Sequence, residues 1–72
     1  MLPDGVYDVV VVEVEDRGDD RTVLDLLVLG GAHKGEVVNV AAVGVRYDPV
    51  EALGLPGTLE VTDGRPRVTL EP

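Results

Sequence analysis

The fold is decided by a stretch near the start of the chain, VYDVVVVEVE at residues 6–15. Its middle is apolar at both alternating sets of positions, with Val10 and Val12 in one set and Val9 and Val11 in the other. Valine is stiff at χ1 and fits a pleated surface, so the stretch reads as a strand. Because a strand with one face in water would alternate, we predict a long strand that bends and serves both halves of a closed barrel.

Four further strands are predicted between regularly spaced Gly, Pro and Asp residues, which favour turns. They cover residues 21–29, 36–45, 58–62 and 67–71. The last two alternate cleanly, and their core-facing residues are predicted to be Leu59, Val61, Val68 and Leu70. Asp63-Gly64 between them predicts a tight hairpin.

The interval between the third and fourth strands predicts a short helix over residues 48–54. Asp48 is a suitable N-cap, and Gly54 suits the position just beyond the helix end. A helix of about one and a half turns is not stable alone. We therefore expect it to pack on the sheet through Val50 and Leu53.

Composition restricts the classes of function. Residues 1–72 make one small β-barrel domain, and 6 Lys plus Arg against 14 Asp plus Glu leave a net charge of −8. The absence of Cys and Ser removes the common nucleophiles, and His33 sits in a Gly-rich turn with no obvious residue to orient it. Asp16, Asp19 and Asp20 lack the spacing of a calcium loop. We therefore expect no enzyme activity, no metal and no cofactor.

The longest apolar run, residues 9–12, is far shorter than the roughly 20 residues that span a bilayer. The first residues contain no basic segment typical of a secretory signal. The expectation is a cytoplasmic protein that does not bind membranes.

The order of three strands, a short helix and two strands resembles the OB-fold, a five-stranded Greek-key barrel with a helix between strands three and four. The resemblance covers residues 6–71. An SH3-like barrel is the alternative, although its helical turn usually lies between the fourth and fifth strands. The OB-fold hosts many functions, so it does not assign one.

Three short motifs add a more local likeness: LPxGxY at residues 2–7, LxLxVxG at residues 24–30 and HKGEVV at residues 33–38. Together they resemble the start of phage-type single-stranded-DNA-binding proteins, whose second and third strands are joined by a Gly-rich loop. The resemblance implies a single-stranded nucleic-acid ligand, bound by stacking on aromatic rings and by a positive groove. The chain departs from that pattern, because its second and third strands contain no aromatic residue.

The resemblance implies that the loops after the first and fourth strands lie on the ligand side. Candidate nucleic-acid-binding residues are Arg17, Arg21, Lys34, Arg46, Tyr47, Arg65 and Arg67. The alternative interpretation pairs the loop arginines with local carboxylates on a solvated surface. Likewise, Tyr7 is expected to pack at the edge of the core, and Tyr47 is expected to pack against the helix rather than stack on a base.

These observations predict a small binding module rather than an enzyme. Its ligand is either a single-stranded nucleic acid or, as the alternative, a protein, in which case the domain is an acidic interaction or assembly module. The first three strands carry more apolar residues than one small interior needs. We expect some of the following six to lie outside and to favour a homo-oligomer or a fixed protein partner: Val9, Val11, Val23, Leu27, Val37 and Val43.

Overall fold

A computed structural model describes residues 2–43 and 48–71, with the side chains of Ala42 and Val43 outside that description. Its elements are β1 (Gly5–Gly18), β2 (Arg21–Val28), β3 (Val37–Val43), α1 (Pro49–Ala52), β4 (Pro56–Thr62) and β5 (Arg65–Leu70). All strand pairs are antiparallel, and the strands form one sheet in the order β3-β2-β1-β4-β5. The predicted all-β class with one short helix is confirmed. The sheet has two edges, β3 and β5, and is not closed.

The central strand β1 is longer than expected and pairs with two neighbours. Its first half pairs with β4, and its second half pairs with β2. A bulge lies between Val11 and Glu13, where the register to β2 shifts. A bulge inserts one residue, so side chains that face the core change from odd to even positions across it. The double apolar pattern of residues 6–15 follows from this bend.

The core lies on one face of the curled sheet. Val9 and Val11 are almost fully buried, so these two are not among the apolar residues that lie outside. Beyond the bulge, Val14 packs against the same core. The core is aliphatic and includes the following residues: Leu2, Val9, Val11, Leu24, Leu26, Val28, Val38, Val40, Leu59 and Val61. The predicted inward positions of the last two strands are confirmed, since Val68 and Leu70 pack against this cluster.

The helix forms where expected but buries a different side chain. The Asp48 carboxylate accepts hydrogen bonds from the backbone N–H groups of Val50 and Glu51, as an N-cap does. Val50 is 85% exposed and Leu53 is 54% exposed, so the predicted packing through them is wrong. Ala52 is buried instead.

The backbone after the helix explains this orientation. The N–H of Gly54 donates to the Val11 carbonyl, and the N–H of Val11 donates to the Leu55 carbonyl. These two bonds fix the chain against β1 at its bulge, and they turn the face that carries Ala52 toward the sheet.

Two of the three hairpin connections in the described sheet are two-residue turns, and each has both of those residues in the left-handed region. Asp63 and Gly64 have φ values of 52° and 75°, which confirms the predicted tight hairpin. Asp19 and Asp20 have φ values of 51° and 57° between the paired ends of β1 and β2. Both connections are therefore tight turns rather than long loops.

The predicted end of the third strand at Val45 lies outside the described residues. Within residues 2–43 and 48–71, no helix has the length and apolar character needed to cross a membrane.

Candidate binding surface

The face of the sheet opposite the core carries the outward side chains of β1, β2 and β3. The cross-strand register aligns nine of them in three rows that run from β1 through β2 to β3. We call these nine residues the outer face: Val10 with Leu27 and Val37, Glu13 with Asp25 and Asn39, and Glu15 with Val23 and Ala41.

The first row of the outer face is apolar from end to end. Val10 and Leu27 are half-buried, and Val37 at the edge of the sheet is 59% exposed. The expectation that Leu27 and Val37 lie away from the core is confirmed. Burial of such apolar surface against a partner is favourable because it releases water.

The second row is acidic. Glu13 and Asp25 are direct cross-strand partners, and the side-chain amide of Asn39 donates to Asp25 Oδ1 at 2.7 Å. In the described part of the chain, neither carboxylate lies within ion-pair distance of a Lys or Arg. Like charges directly opposite each other destabilise a sheet, so a cation from outside would relieve the repulsion.

The charge of the third row is neutralised by an ion pair within the chain. Arg17 Nε lies 3.2 Å from Glu15 Oε1, and Arg17 Nη2 donates to Glu15 Oε2 at 3.3 Å. Both side chains are more than half exposed, so the pair contributes little stability. Its effect is to neutralise Glu15 and to occupy the guanidinium of Arg17.

The four loop arginines lie in two grooves that share no lining residue. Arg17 and Arg21 line one groove together with Asp19, and Arg17 also forms an ion pair with Glu15, which does not itself line the groove. When Glu15 is counted with Asp19, the two arginines lie beside two carboxylates, which balances the local charge.

The second groove has the same balance of charge. Arg65 and Arg67 line it together with Glu60 and Asp63. Glu60 is the direct cross-strand partner of Arg67. Neither groove therefore has the excess of positive charge that tracks a phosphate backbone.

The register places the two grooves at opposite ends of β1. Arg21 pairs with Gly18, the last residue of β1, whereas Arg65 pairs with Thr62, beyond the partner of Gly5. Lys34 lies in the turn between β2 and β3, at the other end of β2 from Arg21. Arg46 and Tyr47 lie outside the described residues.

Tyr7 is held by partners within the chain. Its side chain packs against the core, and its hydroxyl donates to the Pro3 carbonyl. Its ring meets the His33 ring edge-on, with 6.1 Å between centroids. The prediction that Tyr7 packs at the core edge is confirmed. His33 Nδ1 also contacts the Glu36 carboxylate, so this histidine is oriented, contrary to the sequence interpretation.

The strand β3 forms one edge of the described sheet, and its residues Val37, Asn39 and Ala41 are exposed. Sequence reasoning assigned no function to it, nor to the acidic row. The signal was present, because residues 37–45 contain no charged residue and no proline. Edge strands in natural proteins are usually protected by such residues.

Comparisons with protein-family models, with curated proteins and with solved structures found no match to this chain. The outer face, the two arginine grooves and the β3 edge are therefore the observations that bear on function.

Proposed function

We propose that this chain is a protein-interaction module built on a partly open barrel of the OB type. The observation that carries the proposal is the outer face, where an apolar row lies directly beside an acidic row. An apolar stripe supplies binding free energy, and the carboxylates beside it, which form an ion pair with no described Lys or Arg, select a partner with positive charge. The net charge of −8 favours the same kind of partner.

The curvature of the sheet supports the barrel part of the proposal. Asp4 accepts hydrogen bonds from the backbone N–H groups of Asp63 and Gly64, at 2.9 and 3.2 Å, in the turn between β4 and β5. Leu2 is buried and lines a groove with Val38 at the start of β3.

The Cα atoms of Leu2 and Asp4 are two peptide units apart and therefore lie at most about 7.6 Å from each other. The connection over residues 2–4 therefore brings a turn on one side of the sheet close to the strand at its opposite edge. A sheet curled this far, with an opening between β3 and β5, supports the proposal of a partly open barrel of the OB type.

The second candidate function is binding of single-stranded nucleic acid. The observation that favours it is the pair of exposed arginines in the groove between β4 and β5, Arg65 and Arg67. The neutral charge of that groove and the engaged ring of Tyr7 favour the protein partner instead.

One titration compares the two functions. At low ionic strength, the protein is titrated with a peptide of alternating lysine and valine and, separately, with single-stranded oligothymidylate, and its amide NMR signals are followed. We expect the peptide to shift signals of the outer face and the oligonucleotide to shift none. The opposite result would contradict the protein-interaction function.

A matched pair of valines localises the binding. Val37→Thr replaces an exposed methyl group by a hydroxyl on the outer face, and Val6→Thr makes the same change outside it, at a residue that is 67% exposed. Losing a methyl group that becomes buried in the complex costs about 0.8 kcal/mol of binding free energy. Val37→Thr is therefore expected to weaken peptide binding several-fold, and Val6→Thr is not. If oligothymidylate binds instead, Arg65→Ala lowers the salt slope by about one.

A further inference from the structure

The two edges of the sheet are unlike each other. β5 contains Pro66 between Arg65 and Arg67, and proline with charged neighbours is a common protection of an edge strand. β3 has the sequence VVNVAAV, with no charge and no proline. Of the two edges in the described sheet, β3 is the one whose chemistry permits another strand to pair with it.

The direction of the N–H and C=O groups along β3 follows from the alternation of hydrogen bonding between the two sides of a strand. The N–H of Val28 donates to the Glu36 carbonyl, and the N–H of Gly35 donates to the Val28 carbonyl, so Val28 faces the β3 side. In an antiparallel pair, residues alternate between bonding to one side and to the other.

Leu26 and Leu24 therefore bond toward β3, and their partners are Val38 and Val40. The residues between these, Val37, Asn39 and Ala41, direct their N–H and C=O groups away from β2, toward the side of β3 that pairs with no described strand. Their side chains belong to the outer face.

An added strand would extend each of the three rows by one residue. Beside Val37 it would continue an apolar row, and beside Asn39 it would continue the row of Glu13 and Asp25. A long basic side chain beside Asn39 can reach across that residue to the Asp25 carboxylate. Beside Ala41 lies the groove that Val23 lines together with Arg17 and Arg21, and it has room for a larger side chain whose apolar part contacts Val23.

We propose that the β3 edge accepts an extended segment of another protein as a sixth strand, with the pattern apolar, basic, apolar at alternate positions. This inference rests on the proposed protein-interaction function. Charge decides between this occupant and a second copy of the chain. Two copies, each with a charge of −8, would align one acidic row with another, whereas a basic segment neutralises the row.

The probe is the heptapeptide acetyl-Thr-Val-Thr-Lys-Thr-Val-Thr-amide, whose pattern is the same in both directions. Two derivatives carry three N-methyl groups each: one on the Val, Lys and Val nitrogens, and one on the nitrogens of the threonines that follow them. Only one of these two sets can face β3 in a paired strand. We expect one derivative to lose about tenfold or more in affinity and the other to stay within about twofold of the parent. Equal effects of the two derivatives, or no binding of the parent peptide, would overturn the strand addition.

The acidic row is tested by a cycle of two changes. Asp25→Asn removes the charge and retains an oxygen that accepts from Asn39. The substitution is expected to lower the affinity for the lysine peptide about threefold. The affinity for a peptide with norleucine in place of lysine is expected to stay unchanged. Equal effects on both peptides would overturn the role of Asp25.

The protein side has its own matched pair. Ala41→Pro removes an N–H that points toward the free edge, and Ala41→Thr keeps it. Binding is expected to be lost in the first variant and kept in the second, with both folded as judged by their amide spectra. Should Ala41→Pro not fold, the two N-methylated peptides still decide the question.

Sedimentation of the pure protein tests whether a second copy of the chain occupies the β3 edge instead. A dimer that competes with the peptide would show that the edge belongs to a second copy, and it would overturn the proposal. If the lysine–valine peptide binds the outer face but the two N-methylated heptapeptides behave alike, the interaction function stands and the strand addition fails.

Discussion

At the scale of single residues, Gly57 shows how closely two strands approach. It is buried in β4, opposite Val9 on one side and Leu70 on the other. A Cβ at this position would lie 2.6 Å from the backbone carbonyl oxygen of Thr69 and 2.8 Å from Leu70 Cδ2. The absence of a side chain is therefore a packing requirement, because backbone atoms of a paired strand do not move aside cheaply.

We predict that Gly57→Ala lowers the free energy of unfolding by about 2 kcal/mol or more, through overpacking. Gly30→Ala is the control, since a Cβ there meets nothing within 4 Å and its φ lies outside the left-handed region. It should change stability by less than about 0.5 kcal/mol. Urea denaturation measures both variants, and equal stabilities would contradict the close approach of β4 and β5.

At the scale of elements, α1 and the bulge of β1 depend on each other. The helix is four residues long and has one buried side chain, Ala52. Its orientation comes from the two backbone hydrogen bonds of Val11 with Gly54 and Leu55, and its start comes from the Asp48 cap. A helix this short gains its stability from such fixed ends rather than from propensity.

We predict that Asp48→Ala destabilises the domain by about 1 kcal/mol, because two backbone N–H groups lose their acceptor. Asp48→Asn is the matched control, since it removes the same charge and keeps an oxygen that caps the helix. Thermal melts of the two variants should therefore differ. If Asn lowers the melting temperature as much as Ala does, the carboxylate charge rather than the cap explains the loss.

At the scale of the whole molecule, charge is the dominant feature. Fourteen carboxylates and six basic side chains share one small surface, and the resulting repulsion opposes folding. Among the described cross-strand pairs, one joins like charges, Glu13 opposite Asp25, and one joins opposite charges, Glu60 opposite Arg67. The balance between repulsion and attraction can therefore be measured with the same Glu→Gln substitution in each of the two pairs.

We predict that stability rises when sodium chloride is raised to about 0.5 M, because salt screens the net repulsion. At low salt, Glu13→Gln should raise stability by a few tenths of a kcal/mol, and Glu60→Gln should leave it unchanged or lower it slightly. Chemical denaturation by urea at both salt concentrations provides the comparison. A fall in stability with salt would show that ion pairs outweigh repulsion in this molecule.

The sequence by itself determined which segments are strands, where the Asp63-Gly64 turn and the Asp48 cap lie, and which residues of β4 and β5 face inward. Each of these depends on neighbouring residues in the chain, through backbone dihedrals, local hydrogen bonds and alternation. Only the tertiary structure decided which valines of β1 are buried, because a bulge after Val11 exchanges the two faces and has no signal in a run of valines. It also decided that Ala52 rather than Val50 packs on the sheet, that Glu13 lies opposite Asp25, and that β3 is an edge. Those outcomes depend on register and strand order, which join residues distant in the chain.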